Sequence, residues 1–467
     1  MRGCSSLRYW SRVEVASRRE LRRIQLKRLK RAVRYVWSRS RFYRRKLREA
    51  GFHPSDLRSL EDIRRVPLTG KEELRELQLR NVREGRPPYD GLLCVPEREV
   101  ATCVATTGTT GVPLIVPLTL RDASMYHGGE VCHRGYVAVG LKPGDIVQNA
   151  FNHSFWFVSA SLVDLACRTP EYPTVYLASH IGNSRLQLKL IQELRPKAFS
   201  STPSYCLYLA ELAREQGVDP RELGVEVLLL AGEPGASIPS FRARLEEAWG
   251  ARAYDIYGLV EMGWVGGECW AQSGIHVAED VFLAEVVDPE TGEPVGEGEE
   301  GSLVLTHLRR EAMPLLRYDT RDIVKAAFEP CECGRTHMRL VGGIVGRATE
   351  QLKVKGLAVY PSQVAEALNR IPECTGHFLI VVGKDAREIL DTCTIRVEVR
   401  HGSLSDELRR RIARELQSTI WITPEVELVE EGELSRFVMK SIRVLDLRKP
   451  GALKAYLQSS RAQQALA

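Results

Sequence analysis

The chain of 467 residues has no run of about 18 or more apolar residues, the length a membrane-crossing helix requires, so no membrane insertion is expected. Its basic N-terminus is not followed by the apolar stretch of a secretory signal, which points to a cytoplasmic protein. The 11 cysteines are scattered along a long chain, unlike the dense framework of a small secreted domain. That pattern fits free thiols in a reducing compartment, some of them available as metal ligands. Internal repeats and low-complexity segments are lacking. No Gly-Lys-Ser/Thr closes a glycine-rich turn, which excludes a Walker A loop. Charge of one sign is lacking too: 66 Lys+Arg against 60 Asp+Glu leave a net +6, modest for this length.

What is present is core-forming material. At 44% hydrophobic residues the chain can bury two to three domains of ordinary size. Arg18 through Arg48 are dense in Arg and Lys, but Leu21, Ile24, Leu26, Leu29, Val33 and Val36 recur near helical spacing. This predicts an amphipathic helix docked on a core with a solvated basic face, with no nucleic-acid partner. Around Val66-Pro67-Leu68-Thr69-Gly70 a break separates two short helices, with Thr69 as N-cap and Glu72 as its capping-box partner.

From about 100 to 345 strands and helices alternate. Strands are expected at Val147–Phe151, Ala198–Ser201, Val225–Leu230 and Ala253–Tyr257. Helices are expected at Gln187–Leu194, Ser204–Gln216 and Pro239–Trp249, the last two ended by Gly217 and Gly250. Such alternation implies a layered, mostly parallel α/β sheet. An antiparallel β part follows, Val281–Val287 and Gly301–Thr306 around a Pro289-Glu290-Thr291-Gly292 turn. After Gly346 the pattern changes to a small α+β unit: a helix from Pro361, strands Phe378–Val382 and Thr394–Val399, a helix Ser405–Gln417 and a last strand Val426–Val429. The expected division is therefore 1–345, carrying an N-terminal helical segment 1–80, and 346–467.

Residues 105–113, Ala-Thr-Thr-Gly-Thr-Thr-Gly-Val-Pro, carry the most chemistry per residue. Glycine lets backbone N–H groups crowd an anion, and threonine adds hydroxyl donors to the same concavity. The segment reads as a phosphate-holding loop; a polar Gly/Thr turn between strands is the alternative reading.

Further segments, in order, are Ala231-Gly232-Glu233-Pro234, Tyr254-Asp255-Ile256-Tyr257-Gly258-Leu259-Val260-Glu261, Leu316-Arg317-Tyr318-Asp319-Thr320-Arg321-Asp322, and Gly346-Arg347 with Gly356 downstream. Together with the loop they resemble the adenylate-forming enzymes that activate carboxylic acids with ATP. Glu311-Ala312-Met313-Pro314-Leu315, the run from Pro330 to His337 and Val359-Tyr360-Pro361-Ser362-Gln363 make the chain most similar to the phenylacetate–CoA ligase family.

The resemblance implies a large layered α/β adenylate-forming N-terminal domain with an antiparallel β part, and a small, mobile α+β C-terminal domain. It implies ATP, Mg2+ and coenzyme A as reactants and cofactors. Thr106, Thr107, Gly108, Thr109, Thr110 and Gly111 would hold the outer phosphates. Gly232, Glu233 and Pro234 would wall the purine, Tyr257 would stack on adenine, Asp255 would accept from its amino group, and Gly258 would belong to the same nucleotide site. Asp322 would take the ribose hydroxyls, with Asp319 a competitor by composition, and Arg347 would contact ribose or phosphate. Glu261 would hold Mg2+. Lys440 would bridge the substrate carboxylate and the α-phosphate, completing a catalytic set with Glu261 and Thr107.

Three positions depart from the family pattern. Val112 stands where a lysine often follows the second glycine, Thr349 where the hinge is commonly Asp or Lys, and Met439 where a glycine usually precedes the lysine. Cys269, His276, Cys331 and Cys333 are candidate ligands for a structural zinc, with His337 as a spare; unlinked thiols are the alternative reading. The aromatic stretch Phe151-Asn152-His153-Ser154-Phe155-Trp156-Phe157, with Pro203-Ser204-Tyr205, suits an aryl or arylacetic acid pocket. The expected reaction is ATP-dependent acyl-adenylate formation and transfer to coenzyme A, releasing AMP and pyrophosphate. A non-CoA acceptor and a non-catalytic nucleotide-binding descendant are the alternatives, and a homodimer is left open.

Overall fold

The computed structural model describes residues 9–106, 113–124, 130–151, 174–176, 184–348, 352–354, 357–384, 391–420, 422–434, 443–448, 451–453 and 456. Within the large body the strands are β1 (Thr102–Ala105), β2 (Ile115–Leu118), β3 (Val147–Asn149), β4 (Thr174–Tyr176), β5 (Ala198–Ser201), β6 (Val227–Leu230), β7 (Arg252–Leu259), β8 (Gly263–Gly267), β9 (Ile275–Val277), β10 (Phe282–Val287), β11 (Glu300–His307), β12 (Tyr318–Ala327), β13 (Arg339–Leu340) and β14 (Gly346–Arg347). All but β1 and β2 join one sheet, in the order β10-β11-β12-β13-β9-β8-β7-β6-β5-β3-β4, with β14 beside β12.

The β3 to β7 half is parallel and the rest antiparallel. Val227-Leu228-Leu229-Leu230 is buried throughout, as a central parallel strand covered on both faces must be. Helices Ser184–Leu194, Pro203–Glu215 and Pro239–Trp249 supply the crossovers. The helix Pro239–Trp249 starts on a proline that needs no N–H partner and stops at Gly250, whose φ of 63° is the left-handed cap.

The basic N-terminal stretch forms two helices, Arg18–Arg39 and Arg41–Glu49, broken at Ser40. Leu21, Leu29, Val33 and Val36 face the core as their spacing requires. Part of the basic face is docked as well: Arg18 pairs with Glu279, and Arg28 lies 2.9 Å from Asp280.

Thr69 differs from its expected role. The next helix, Lys71–Arg83, has Gly70 at its N-cap. The Thr69 hydroxyl instead donates to the Leu316 carbonyl at 2.8 Å, its N–H to Arg317 O, and its carbonyl accepts from Asp319 N. The segment is thereby pinned alongside the start of β12.

The second body has its own core, including Val364, Leu368, Ile380, Ile395, Val397, Ile412 and Leu416. It contains the hairpin β15 (Leu352–Val354) and β16 (Leu357–Val359), and a sheet of β17 (Cys374–Lys384), β18 (Asp391–Val399), β19 (Glu425–Glu430) and β20 (Val444–Asp446) in the order β19-β18-β17-β20. Helices Pro361–Asn369 and Asp406–Ile420 pack on it. The strand β20 lies beyond the last one expected from sequence; it runs parallel to β17 through Ile380, Val381 and Val382.

Candidate active site

Parallel strands present their C-terminal ends to a common crevice, the usual ligand site of open α/β sheets. Here those ends carry Phe151 after β3, Thr202 to Tyr205 after β5, Gly232 to Pro234 after β6, and Tyr257 and Gly258 late in β7.

Thr106 closes the neck of the Gly/Thr loop. Its Oγ1 accepts from Leu114 N at 3.0 Å, and its own N–H donates to Leu114 O at 3.1 Å, just beyond the Ala105–Ile115 pairing of β1 and β2. Thr107, Gly108, Thr109, Thr110, Gly111 and Val112 lie outside the described residues, as do Thr349, Gly356, Met439, Lys440 and the pocket stretch Asn152–Phe157.

Two carboxylates organise the described part of the site. Asp322 is buried on β12 and accepts from the Tyr257 hydroxyl at 2.6 Å and from Arg347 Nε at 2.8 Å. Three residues distant in sequence thus meet because β14 pairs with β12 at Asp322–Arg347 while β7 faces them. Burial and the adjacent Asp322 charge push the Tyr257 hydroxyl well above its usual range, so it stays a donor. The competing Asp319 is engaged elsewhere, by Ser302 Oγ and by Arg321 N at 3.0 Å.

The second carboxylate is Glu261, also buried. Its Oε1 accepts from the Tyr318 hydroxyl at 3.0 Å and lies 3.0 Å from Lys71 Nζ. Both bonds fall on one oxygen, and a hard oxygen donor of this kind suits Mg2+. Lys71 was not singled out from sequence, and Tyr318 was named only as part of the Leu316–Asp322 segment, with no role at Glu261. The Thr-Gly-Lys run at a helix start was the available signal, and it reads equally as an ordinary surface N-terminus.

The remaining expected contacts are nearby. Gly232 has a φ of 92°, a conformation that favours glycine. Glu233 Oε1 accepts from Ser204 N at 2.7 Å and so caps the helix Pro203–Glu215. Asp255 accepts from Ser237 Oγ, while its N–H donates to Glu268 Oε2 at 2.8 Å. Burial, and then the Glu268 charge, raise the Asp255 carboxyl to about 7. Tyr205 bonds Ser184 through its hydroxyl at 3.2 Å.

A separate cluster gathers Cys269, His276, Cys331 and Cys333, all buried, with one ligand atom from each lying within 4.8 Å of the others. The Cys269 and Cys331 sulfurs are 3.7 Å apart, and Cys333 Sγ is 3.6 Å from His276 Nε2. A tetrahedron with Zn–S bonds of about 2.3 Å has S–S edges of about 3.8 Å, so the donor set fits zinc. The Cys333 thiol is held far below its ordinary value, first by the hydrogen bond from Cys269 and then by His276. His337 is excluded from the set: its Nδ1 faces Val277 O and its Nε2 faces Val13 O, each at 3.0 Å.

The fold and these two carboxylate clusters define an AMP-binding enzyme. The family model for AMP-binding enzymes matches residues 54–307, and that for the AMP-binding enzyme C-terminal domain matches 356–448. The chain is 40% identical to a phenylacetate–coenzyme A ligase of Thermus thermophilus, covering 94% of this chain and 100% of the relative. It is 33% identical to that of Aromatoleum evansii, over 93% of this chain and 96% of the relative. Among solved structures, a 2-hydroxyisobutyryl-CoA ligase in the postadenylation state, in complex with 2-HIB-AMP, superposes with a TM-score of 0.87 at 31% identity, covering 98% of this chain and 96% of that one. The chain belongs to the phenylacetate–coenzyme A ligase family, and it is an AMP-forming acid–thiol ligase. No helix among the described residues is long and apolar enough to cross a membrane.

Proposed function

We propose that the chain activates an aryl or arylacetic acid with ATP and passes the acyl group to coenzyme A. A carboxylate is a poor electrophile; attack on the α-phosphate of ATP gives an acyl-adenylate with AMP as leaving group and releases pyrophosphate. The thiol of coenzyme A then displaces AMP. The first step brings anions together, so N–H groups and cations must offset their repulsion.

The observation that carries this reading is the meeting of Tyr257, Asp322 and Arg347 at the crevice. Asp322, already oriented by two donors, would accept the ribose hydroxyls. Tyr257 would lie against adenine between Gly258 and the Gly232-Glu233-Pro234 turn, with Asp255 toward the amino group. The Thr106–Gly111 loop would enclose the outer phosphates. Glu261 would hold Mg2+, which neutralises phosphate charge when bound; Lys71 adds a cation at the same carboxylate. Lys440 would bridge the acid and the α-phosphate.

In the same reading 1–345 forms the adenylation domain and 346–467 a domain that turns between the two half-reactions. Cys269, His276, Cys331 and Cys333 hold a structural zinc, the setting is cytoplasmic, and a homodimer is the candidate assembly.

Acid-dependent ATP–pyrophosphate exchange over a panel of phenylacetate, benzoate, 2-hydroxyisobutyrate and straight-chain acids, followed by thioester formation with coenzyme A, tests the proposal. Strongest exchange with the aryl acids and thioester product are expected. Exchange with no acid, or acyl-adenylate that coenzyme A does not discharge, contradicts it. Strongest exchange with 2-hydroxyisobutyrate contradicts the aryl assignment alone.

A further inference from the structure

We propose that Arg244 and Asn369 form a latch that holds the second body in the arrangement used for adenylation and opens before thioester formation. The proposal rests on the reading above that this body turns between the half-reactions.

Four observations converge on the pair. The helix Pro239–Trp249 of the large body lies against Pro361–Asn369 of the second, and Ile238, just before the first helix, packs on the second body's core. Arg244 Nη1 donates to Asn369 Oδ1 at 2.7 Å, and Nη2 donates to Thr375 O at 3.4 Å. One turn earlier, Ser240 Oγ donates to Glu366 Oε2 at 3.0 Å. Gly376, at a φ of 92°, passes so near that a Cβ there would lie 3.2 Å from Arg244 Nη1 and 3.3 Å from Asn369 Oδ1. Bare backbone therefore leaves room for the pair to form.

The arrangement also matches one state of a relative. Against the 2-hydroxyisobutyryl-CoA ligase the TM-score is 0.87 for the postadenylation state, but 0.72 for an open conformation and 0.71 for the thioesterification state. The chain compared is alike at 30–31% identity in every case, so the difference lies in arrangement.

The chemistry of the latch suits a contact that must break each turnover. Both bonded partners of Arg244, an amide oxygen and a backbone carbonyl, are neutral. A guanidinium facing a carboxylate in this half-buried position would bind more tightly and bias the equilibrium toward one arrangement. The bonds of Arg244 go to Asn369 and Thr375 and not to the residues proposed to hold ATP; it is a positioning residue.

Two substitutions should act in opposite directions. Arg244→Ala should slow phenylacetate-dependent ATP–pyrophosphate exchange about three- to tenfold while leaving conversion of supplied phenylacetyl-adenylate to phenylacetyl-CoA unchanged or faster. Asn369→Asp, which places a carboxylate on Arg244, should retain exchange and slow the thioester step by a similar factor. Without any substrate, hydrogen–deuterium exchange over 361–376 should rise in the first variant and fall in the second. Equal losses in both half-reactions, or the same direction of hydrogen exchange in both variants, would overturn the latch. Should wild-type protein show no exchange with any acid, the functional reading fails, and the substrate-free hydrogen exchange still decides the latch.

Discussion

Lys71 and Glu261 face each other across 3.0 Å, although one opens a helix near the N-terminus and the other follows β7. Thr69, pinned to β12 through Leu316, Arg317 and Asp319, fixes where that helix begins and so where the ammonium points. Family members often carry a lysine in the position of Val112, beside the outer phosphates. In the proposed site Lys71 would supply a cation at Glu261 instead. Its partial exposure tempers the strength of the pair. Lys71→Ala should therefore raise the KM for ATP about five- to tenfold, with Lys71→Arg recovering most of it. The ATP dependence of pyrophosphate exchange measures this, and an unchanged KM in the alanine variant contradicts it.

Tyr257→Phe separates two roles of one side chain. The ring that would lie against adenine remains, but the 2.6 Å bond to Asp322 disappears, leaving Arg347 as the other donor to that carboxylate. A single lost hydrogen bond to a charged acceptor should raise the KM for ATP about threefold or more. Supplied acyl-adenylate carries the same adenosine, so its apparent KM in the thioester step should rise by a similar factor. An unchanged KM for both, with a lowered Tm, would indicate that the hydroxyl supports the sheet and not the nucleotide.

Much of the architecture was legible because local signals agreed with tertiary packing. Proline at the start and glycine at the end bounded the helix Pro239–Trp249, and the apolar run Val225–Leu230 read as a strand, which forms over Val227–Leu230. The site was legible in its members but not in its contacts. Tyr257, Asp322 and Arg347 were named through family resemblance, whereas their meeting depends on a sheet order that runs from β7 through β8, β9 and β13 to β12. Periodicity carries no information about such an order. Lys71 and the true role of Thr69 were missed for the same reason: a Thr-Gly-Lys helix start looks alike whether its hydroxyl caps the helix or bonds a carbonyl 247 residues away. The strand β20 is only three residues long, too short for an alternating pattern to register.

The Cys269, His276, Cys331 and Cys333 cluster should retain about one zinc per chain after purification in chelator. These ligands join the end of β8, β9 and the turn before β13, and the N-terminal segment closes over that turn: Tyr9 donates to Cys333 O at 2.9 Å and Glu14 pairs with Arg335 at 2.8 Å. Cys333→Ser should lose the metal and lower Tm by at least about 2 °C, since binding energy at a structural site is folding energy. Elemental analysis beside a thermal melt checks both. Full zinc occupancy in the serine variant contradicts the assignment.

Asp255 gives the fold a pH dependence of defined sign. Burial and Glu268 raise its carboxyl from 3.8 to about 7, so the folded chain keeps this proton after the unfolded chain has released it. Between about pH 4 and 7 the native state binds more protons at this site, and stability from it falls as pH rises, reaching its full cost above about pH 7. Asp255→Asn removes the charge and can still accept from Ser237. The variant should be more stable than wild type at about pH 8, by about 1–3 kcal/mol, with the difference shrinking or reversing near pH 4. Denaturant melts at the two pH values read this directly. A stabilisation that grows toward acid would mean that Asp255 is ionised in the folded protein throughout, held there by Ser237 and Arg242 against the burial.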